Sequence, residues 1–257
     1  LMMEAVHRYE GTVNQVLGDG IMAIFGAPIA HENHAVRAAY AALRMQDGVA
    51  RMAATLRRSH GLDVQVPVGL NSGEVVVRSI GNDLHMDYTA VGQTTHLAAR
   101  MEKLARPGTI LVSGETHRLT EGYLAARPLG PVPVPGLPEP VEVFEATGAG
   151  PARSRLQAAA ARGLTRFVGR EADLAVLEQA LAQAQAGNGQ VVGVVAEAGA
   201  GKSRLCFELV ERCRARGIRV DEAHCPAHGR NASYVALLAL LRSMLGVSER
   251  DAAPEAR

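Results

Sequence analysis

Lysine is almost missing from this chain: its 257 residues include only Lys103 and Lys202, against 25 arginines. Genome base bias explains such a ratio without function, yet any step that needs an ammonium group has just two candidates. Cysteine is sparse as well. Cys206, Cys213 and Cys225 form no CxxC pair, which excludes a disulfide framework and suits a reducing cytosol. His224 and His228 leave room for a Cys225-x2-His228 metal clip, although scattered thiols are more often small core residues. No apolar run approaches the roughly 20 residues that cross a bilayer, and no secretory leader is expected. The expected product is therefore soluble and cytoplasmic. The formal charge is +1, and neither half is polarised. There are 12 basic and 15 acidic residues before Gly148, then 15 and 11 after it. That balance excludes a strong field toward nucleic acid or anionic membrane. No internal repeat is found.

What is present is an ordinary globular composition, 47% apolar, and length for roughly 1.7 domains at about 150 residues each. One whole unit and one cut one are expected. Residues 1–9 suggest the end of an amphipathic helix. Two β-prone runs, 12–17 and 21–25, flank Gly18-Asp19-Gly20, the pattern of a hairpin. A long helix follows over 34–58, with Val36, Tyr40 and Leu43 on one stripe. Strands are predicted at 64–70, 75–80, 87–91 and 109–113, with a helix over 93–104. Prolines crowd 128–140 and admit edge strands and turns only. Residues 141–146 close an α/β sandwich with helices packed on a sheet. The first domain is thus placed at 1–147 and an Ala-rich linker helix at 148–164. A second domain, 165–257, opens with a helix (171–186), a strand (191–196), a Gly-rich loop, a helix (202–216) and a strand start (218–222). Residues 235–245 are expected to be core of that second unit.

The Gly-rich loop reads AEAGAGKS from Ala196 to Ser203. It fits the phosphate-loop pattern with Ala196 where glycine is usual. Gly199 and Gly201 let backbone N–H groups converge on phosphates, Lys202 reaches the β- and γ-phosphates, and Ser203 ligates Mg²⁺. The bland alternative is a chance Gly-Lys-Ser in an Ala/Gly turn. With FVGREADLAVLEQAL upstream, the segment resembles the regulatory P-loop ATPases of the STAND/AAA type, truncated over about 90 residues. No second acidic strand motif appears before Arg257. ATP binding is expected of it, and hydrolysis by this stretch alone is not.

The hairpin GTVNQVLGDGIMAIFG, the segment MDYTAVGQTTHLAARME and the ending PVPVPGLPEPVEVFE resemble class III nucleotidyl cyclases over about residues 1–147. The resemblance implies an α+β cyclase sandwich with a ferredoxin-like core. It also implies two metal ions, Mg²⁺ or Mn²⁺, and sites formed between the protomers of a homodimer. ATP, or alternatively GTP, is the implied substrate. It places Asp19 as a metal carboxylate, though an Asp before Gly also suits a turn for backbone reasons. Arg100 matches the transition-state arginine, whose alternative is a solvated helix-face arginine. Thr89 matches the partner that reads the base edge.

Four departures accompany it. The first metal carboxylate belongs to a strand upstream of Leu1, which makes this domain N-terminally incomplete. Gln15 replaces a base-reading lysine, and its amide both donates and accepts, so it does not alone force adenine. His96 replaces a transition-state asparagine on the helix face of Arg100. Pro135 replaces a phosphate-binding lysine and donates nothing. Lys103, the first unit's only lysine, falls outside all these positions, with no neighbouring lysine to substitute. Two functions stay open: an adenylate cyclase-like lyase fused to a regulatory ATP-binding module, and a catalytically degenerate dimerisation or nucleotide-sensing domain that regulates that module. His31 and His34 are expected to be solvated, and the Arg-rich stretch 212–219 to be a solvated helix face.

Overall fold

The computed structural model describes residues 1–18, 20–80, 87–152, 154–161, 163–197, 199–223 and 234–246. The chain divides into two units, Leu1–Ala152 and Arg153–Arg257. The first runs α1 (Met2–Arg8), β1 (Thr12–Leu17), β2 (Gly20–Ile24), α2 (His34–His60), β3 (Val68–Leu70), β4 (Val76–Ile80) and β5 (Asp87–Val91). It continues through α3 (Gln93–Leu104), β6 (Ile110–Ser113), α4 (Gly114–Leu119), β7 (Leu124–Val132) and β8 (Val141–Ala149). This is the expected mixed α/β architecture. β1 and β2 form the antiparallel hairpin, with a bulge between Val13 and Gln15. Its turn begins at Gly18, whose φ of +59° is open to glycine without a Cβ clash. β4 and β5 form a second antiparallel pair, and β1 lies near β5.

The core is organised by β6. The main sheet has the order β3-β6-β8-β7, with β3 parallel to β6 and the other pairs antiparallel. All four residues of β6 are buried, and successive side chains point to opposite faces. Ile110 and Val112 pack with Ala39 and Ala42 of α2. Leu111 packs on the other face with Met101, Ala105 and Val143. Helix α3 is anchored there through Met101, which is 0% exposed. β3 presents Gly69 to α3. A Cβ there would lie 2.1 Å from the Glu102 amide nitrogen and 2.4 Å from the Ala98 carbonyl oxygen, so the two backbones touch at that point.

The structure corrects several expectations. The strand predicted at 64–70 forms only at Val68–Leu70, because Pro67 has no N–H for a ladder. The Val66 carbonyl instead accepts from Gly108 N–H and the Gln46 side chain. Helix α4 went unforeseen: six residues show too little periodicity, although Ser113 caps it by accepting from Thr116 N–H. β7 is an edge strand that carries Pro128 and Pro131, as the prolines required. His31 is not fully solvated. Its side chain is 17% exposed and its Nε2 lies 3.3 Å from Glu10 Oε2, while His34 Nδ1 sits 3.1 Å from the His31 carbonyl. The same Glu10 oxygen accepts from Arg37 at 2.8 Å. Arg37 is a 2% exposed arginine whose Nε also donates to Asn33, so the buried charge is compensated.

The second unit contains α5 (Arg155–Ala161), α6 (Glu171–Gln185), α7 (Lys202–Ala215) and α8 (Val235–Leu245). Leu174 and Leu177 of α6 bury against Leu205 of α7, with Phe167, Val194 and Leu209 at the edge. The strands predicted at 191–196 and 218–222 carry no ladder pairing among the described residues. A strand is made by its partner, and Val191 and Val195 are exposed. α8 forms as expected but is not core: Leu237, Leu238, Leu241 and Leu245 are exposed among the described residues. Cys206 is exposed and Cys213 is buried as a small core residue. His224, Cys225 and His228 lie outside the described residues. Among the described residues no helix is long and apolar enough to cross a membrane.

The arginines of 212–219 are ion-paired rather than merely solvated. Arg212 and Arg216 both reach Glu178 of α6, Arg214 meets Glu211 and Glu222, and Arg219 meets Asp221. The Arg212 hydrogen bond, with Arg216 close by, holds the Glu178 carboxyl below its usual pKa. A carboxyl whose folded pKa is depressed adds stability above its unfolded pKa and loses it as pH falls through the folded one. Glu178→Gln is therefore expected to lower the melting temperature of this unit slightly at neutral pH. The difference from the parent should vanish once the Glu178 carboxyl is protonated in acid. A difference that persists there would mean that packing, not charge, joins α6 to α7.

Candidate active site and phosphate loop

Helix α3 has two working faces. Leu97 and Met101 pack inward, while His96, Arg100 and Lys103 are exposed along the neighbouring side. Spacings of four and three residues put these side chains on one stripe. The stripe lines a cavity of about 550 Å³ whose other wall is Val134, Pro135, Gly136 and Leu137, from the connection between β7 and β8. That wall is held by the buried Val134 and by a Leu137 N–H bond to the Val134 carbonyl.

The structure thus brings His96 and Arg100 together with Pro135, three positions singled out separately in the sequence. It also places Lys103, which falls outside the motif positions, on the same cavity beside Pro135 and Arg100. The helical spacing 96, 100, 103 was the available signal. Gln15 does not line the cavity among the described residues; it is exposed on β1, opposite Met22. Thr89 pairs with Arg78 across β4 and β5, three residues before Gly92 at the cavity's end. Asp19 lies outside the described residues. Among those residues there is no group of three or more His, Cys, Asp or Glu side chains that could hold a metal ion.

In the second unit the loop from Ala196 leads into α7 at Lys202. Gly199 and Gly201 adopt φ of +81° and +83°, a left-handed backbone that a Cβ disfavours. Lys202 Nζ reaches back and donates to the Ala196 and Glu197 carbonyls, both at 2.7 Å. Ser203 is exposed at the helix start, where a hydroxyl suits a cation held by bound phosphates. Ala198 lies outside the described residues. The sequence missed Arg170, which donates to the Ala200 carbonyl of the loop and to Asp173. Arg204 donates to the Thr165 carbonyl and lies 5.7 Å from the Phe167 ring centre. Together they fasten the FVGRE segment to the loop and to α7.

Comparison with known proteins finds a family match for each unit. Residues 3–146 match the adenylate and guanylate cyclase catalytic domain, and residues 166–257 match an AAA ATPase domain. Adenylate cyclase 1 of Rhizobium meliloti (strain 1021) is 30% identical over 150 residues, 58% of this chain and 23% of that protein. Protein R02095 of the same strain is 29% identical over 254 residues, 98% of this chain and 24% of that protein, and so shares both units. The chain therefore spans about a quarter of the length of these curated relatives. Among solved structures, the adenylyl cyclase CyaB from P. aeruginosa superposes with a TM-score of 0.53 at 29% identity, over 56% of this chain and 76% of that one. The chain belongs to the adenylate and guanylate cyclase catalytic-domain family, its class III cyclase domain at residues 3–146 being followed by an AAA ATPase domain at 166–257.

Proposed function

We propose that the protein is an adenylate cyclase-like signalling enzyme that converts ATP to cyclic AMP and pyrophosphate as a homodimer in the cytoplasm, with a regulatory ATP-binding module attached. The observation that carries this is the cavity along α3, where Arg100 and His96 face one open space. In the reaction the ribose 3′-oxygen attacks the α-phosphorus, the bond to pyrophosphate breaks, and the hydroxyl proton leaves to solvent. Arg100 stabilises the charge that develops on the phosphoryl oxygens, and His96 donates to a phosphate or ribose oxygen. The choice of ATP over GTP follows the relative named adenylate cyclase. Gln15 and Thr89 are the candidate base readers, and Asp19 the candidate carboxylate for Mg²⁺ or Mn²⁺. Pro135 at the cavity wall favours the second reading, a degenerate domain that only pairs, senses nucleotide and regulates the ATPase module.

The two separate in one assay. Cyclic nucleotide formed by the full-length protein with Mn²⁺ and ATP or GTP is expected to vanish in Asp19→Ala. No product from the parent, with ATP still held through Lys202, would leave the regulator. In the same preparation Lys202→Ala is expected to weaken nucleotide binding by the second unit about tenfold or more and to leave cyclic nucleotide output intact. Equal loss of both would mean that the units do not work independently.

A further inference from the structure

We infer that Lys103 supplies the ammonium group that grips the substrate's triphosphate from the α3 side of the cavity, where Pro135 on the facing wall donates nothing; this rests on the cavity being the nucleotide site proposed above. Arg100 and Lys103 are three residues apart on one helix face and open into the same space, and no Asp or Glu lines that space among the described residues. Neither has an ion-pair partner among those residues. Two uncompensated cations held one turn apart repel each other, and a polyanion that spans both removes that cost.

The residue type points the same way. The chain uses arginine for 25 of its 27 Lys and Arg positions, and its other lysine, Lys202, begins the helix after the phosphate loop. An ammonium is a compact charge with three rotatable donors on a flexible stem. It follows a phosphate chain that moves during reaction more readily than a planar fork does. The stem of Lys103 needs no partner to hold it, because α3 is fixed beneath it by Met101 and Ala105.

The probe is inorganic tripolyphosphate, and the protein is the full-length chain carrying Lys202→Ala, which weakens the phosphate loop as a competing site. Calorimetry is expected to show binding that weakens about tenfold or more in Lys103→Met, as for loss of one charge-assisted contact. Lys103→Arg should keep most of the affinity. Pro135→Lys added to Lys103→Met should recover it, since both positions open on one cavity. Arg106→Met, which removes an exposed charge outside the cavity, should leave it unchanged. Undiminished affinity in Lys103→Met, equal weakening by Arg106→Met, or no binding before any change at 103 would each overturn the inference. Binding that depends on Lys103 in a protein that forms no cyclic nucleotide supports Lys103 and sinks the catalytic proposal alone.

Discussion

Arg100→Ala is expected to lower cyclic nucleotide output about a hundredfold or more at saturating ATP, with a smaller change in KM. Arg100 is held by a helix whose inner face is locked, since Met101 beside it is fully buried against Leu111 and Val143. A preorganised donor of this kind acts where charge develops, and losing one costs about a hundredfold to a thousandfold in kcat. Arg100→Lys should recover little, because one point charge does not replace a fork that can reach two phosphoryl oxygens. A wild-type kcat in Arg100→Ala would remove this residue from the reacting atoms. A pure rise in KM would demote it to substrate binding, a different place on the reaction coordinate.

Gly69→Ala acts from beneath the site and is expected to be the most damaging single methyl in the first unit. The added carbon would fall 2.1 Å from one α3 backbone atom and 2.4 Å from another. Neither atom belongs to a side chain that can swing away, so α3 must lift from β3 or the strand must leave the sheet. Overpacking of this kind costs about 3 kcal/mol or more, on the order of 10 °C in melting temperature for a domain this size. The α3 stripe would move with the helix, so output should fall even at temperatures where the protein stays folded. Parent-like melting and parent-like activity together would show that the close approach of β3 and α3 is not maintained in solution.

Much of the fold was legible because its signals are local. The hairpin follows from β-prone runs around Gly18, α2 and α3 from periodicity, and the edge position of β7 from Pro128 and Pro131. The failures share one cause, which is that the deciding partner lies far along the chain. Residues 191–196 have the composition of a strand, but composition supplies no neighbour. His31 looks like a solvated helix-start histidine until Glu10 meets it. Lys103 sits on the stripe of His96 and Arg100, but the wall that faces it, around Pro135, comes 32 residues later. Helical spacing predicted which side chains stand together; only the folded chain showed what they face.

The two-sided packing of β6 has a consequence for how this domain can vary. Ile110 and Val112 belong to the cluster under α2, and Leu111 to the cluster under α3, with no side chain shared between them. Substitutions in the two clusters should therefore act nearly additively on stability. The α2 side can be remodelled, as a new input surface would require, without disturbing the footing of the cationic stripe. One four-residue strand thus serves as a partition, with one layer free to change and the other held to the geometry of the cavity.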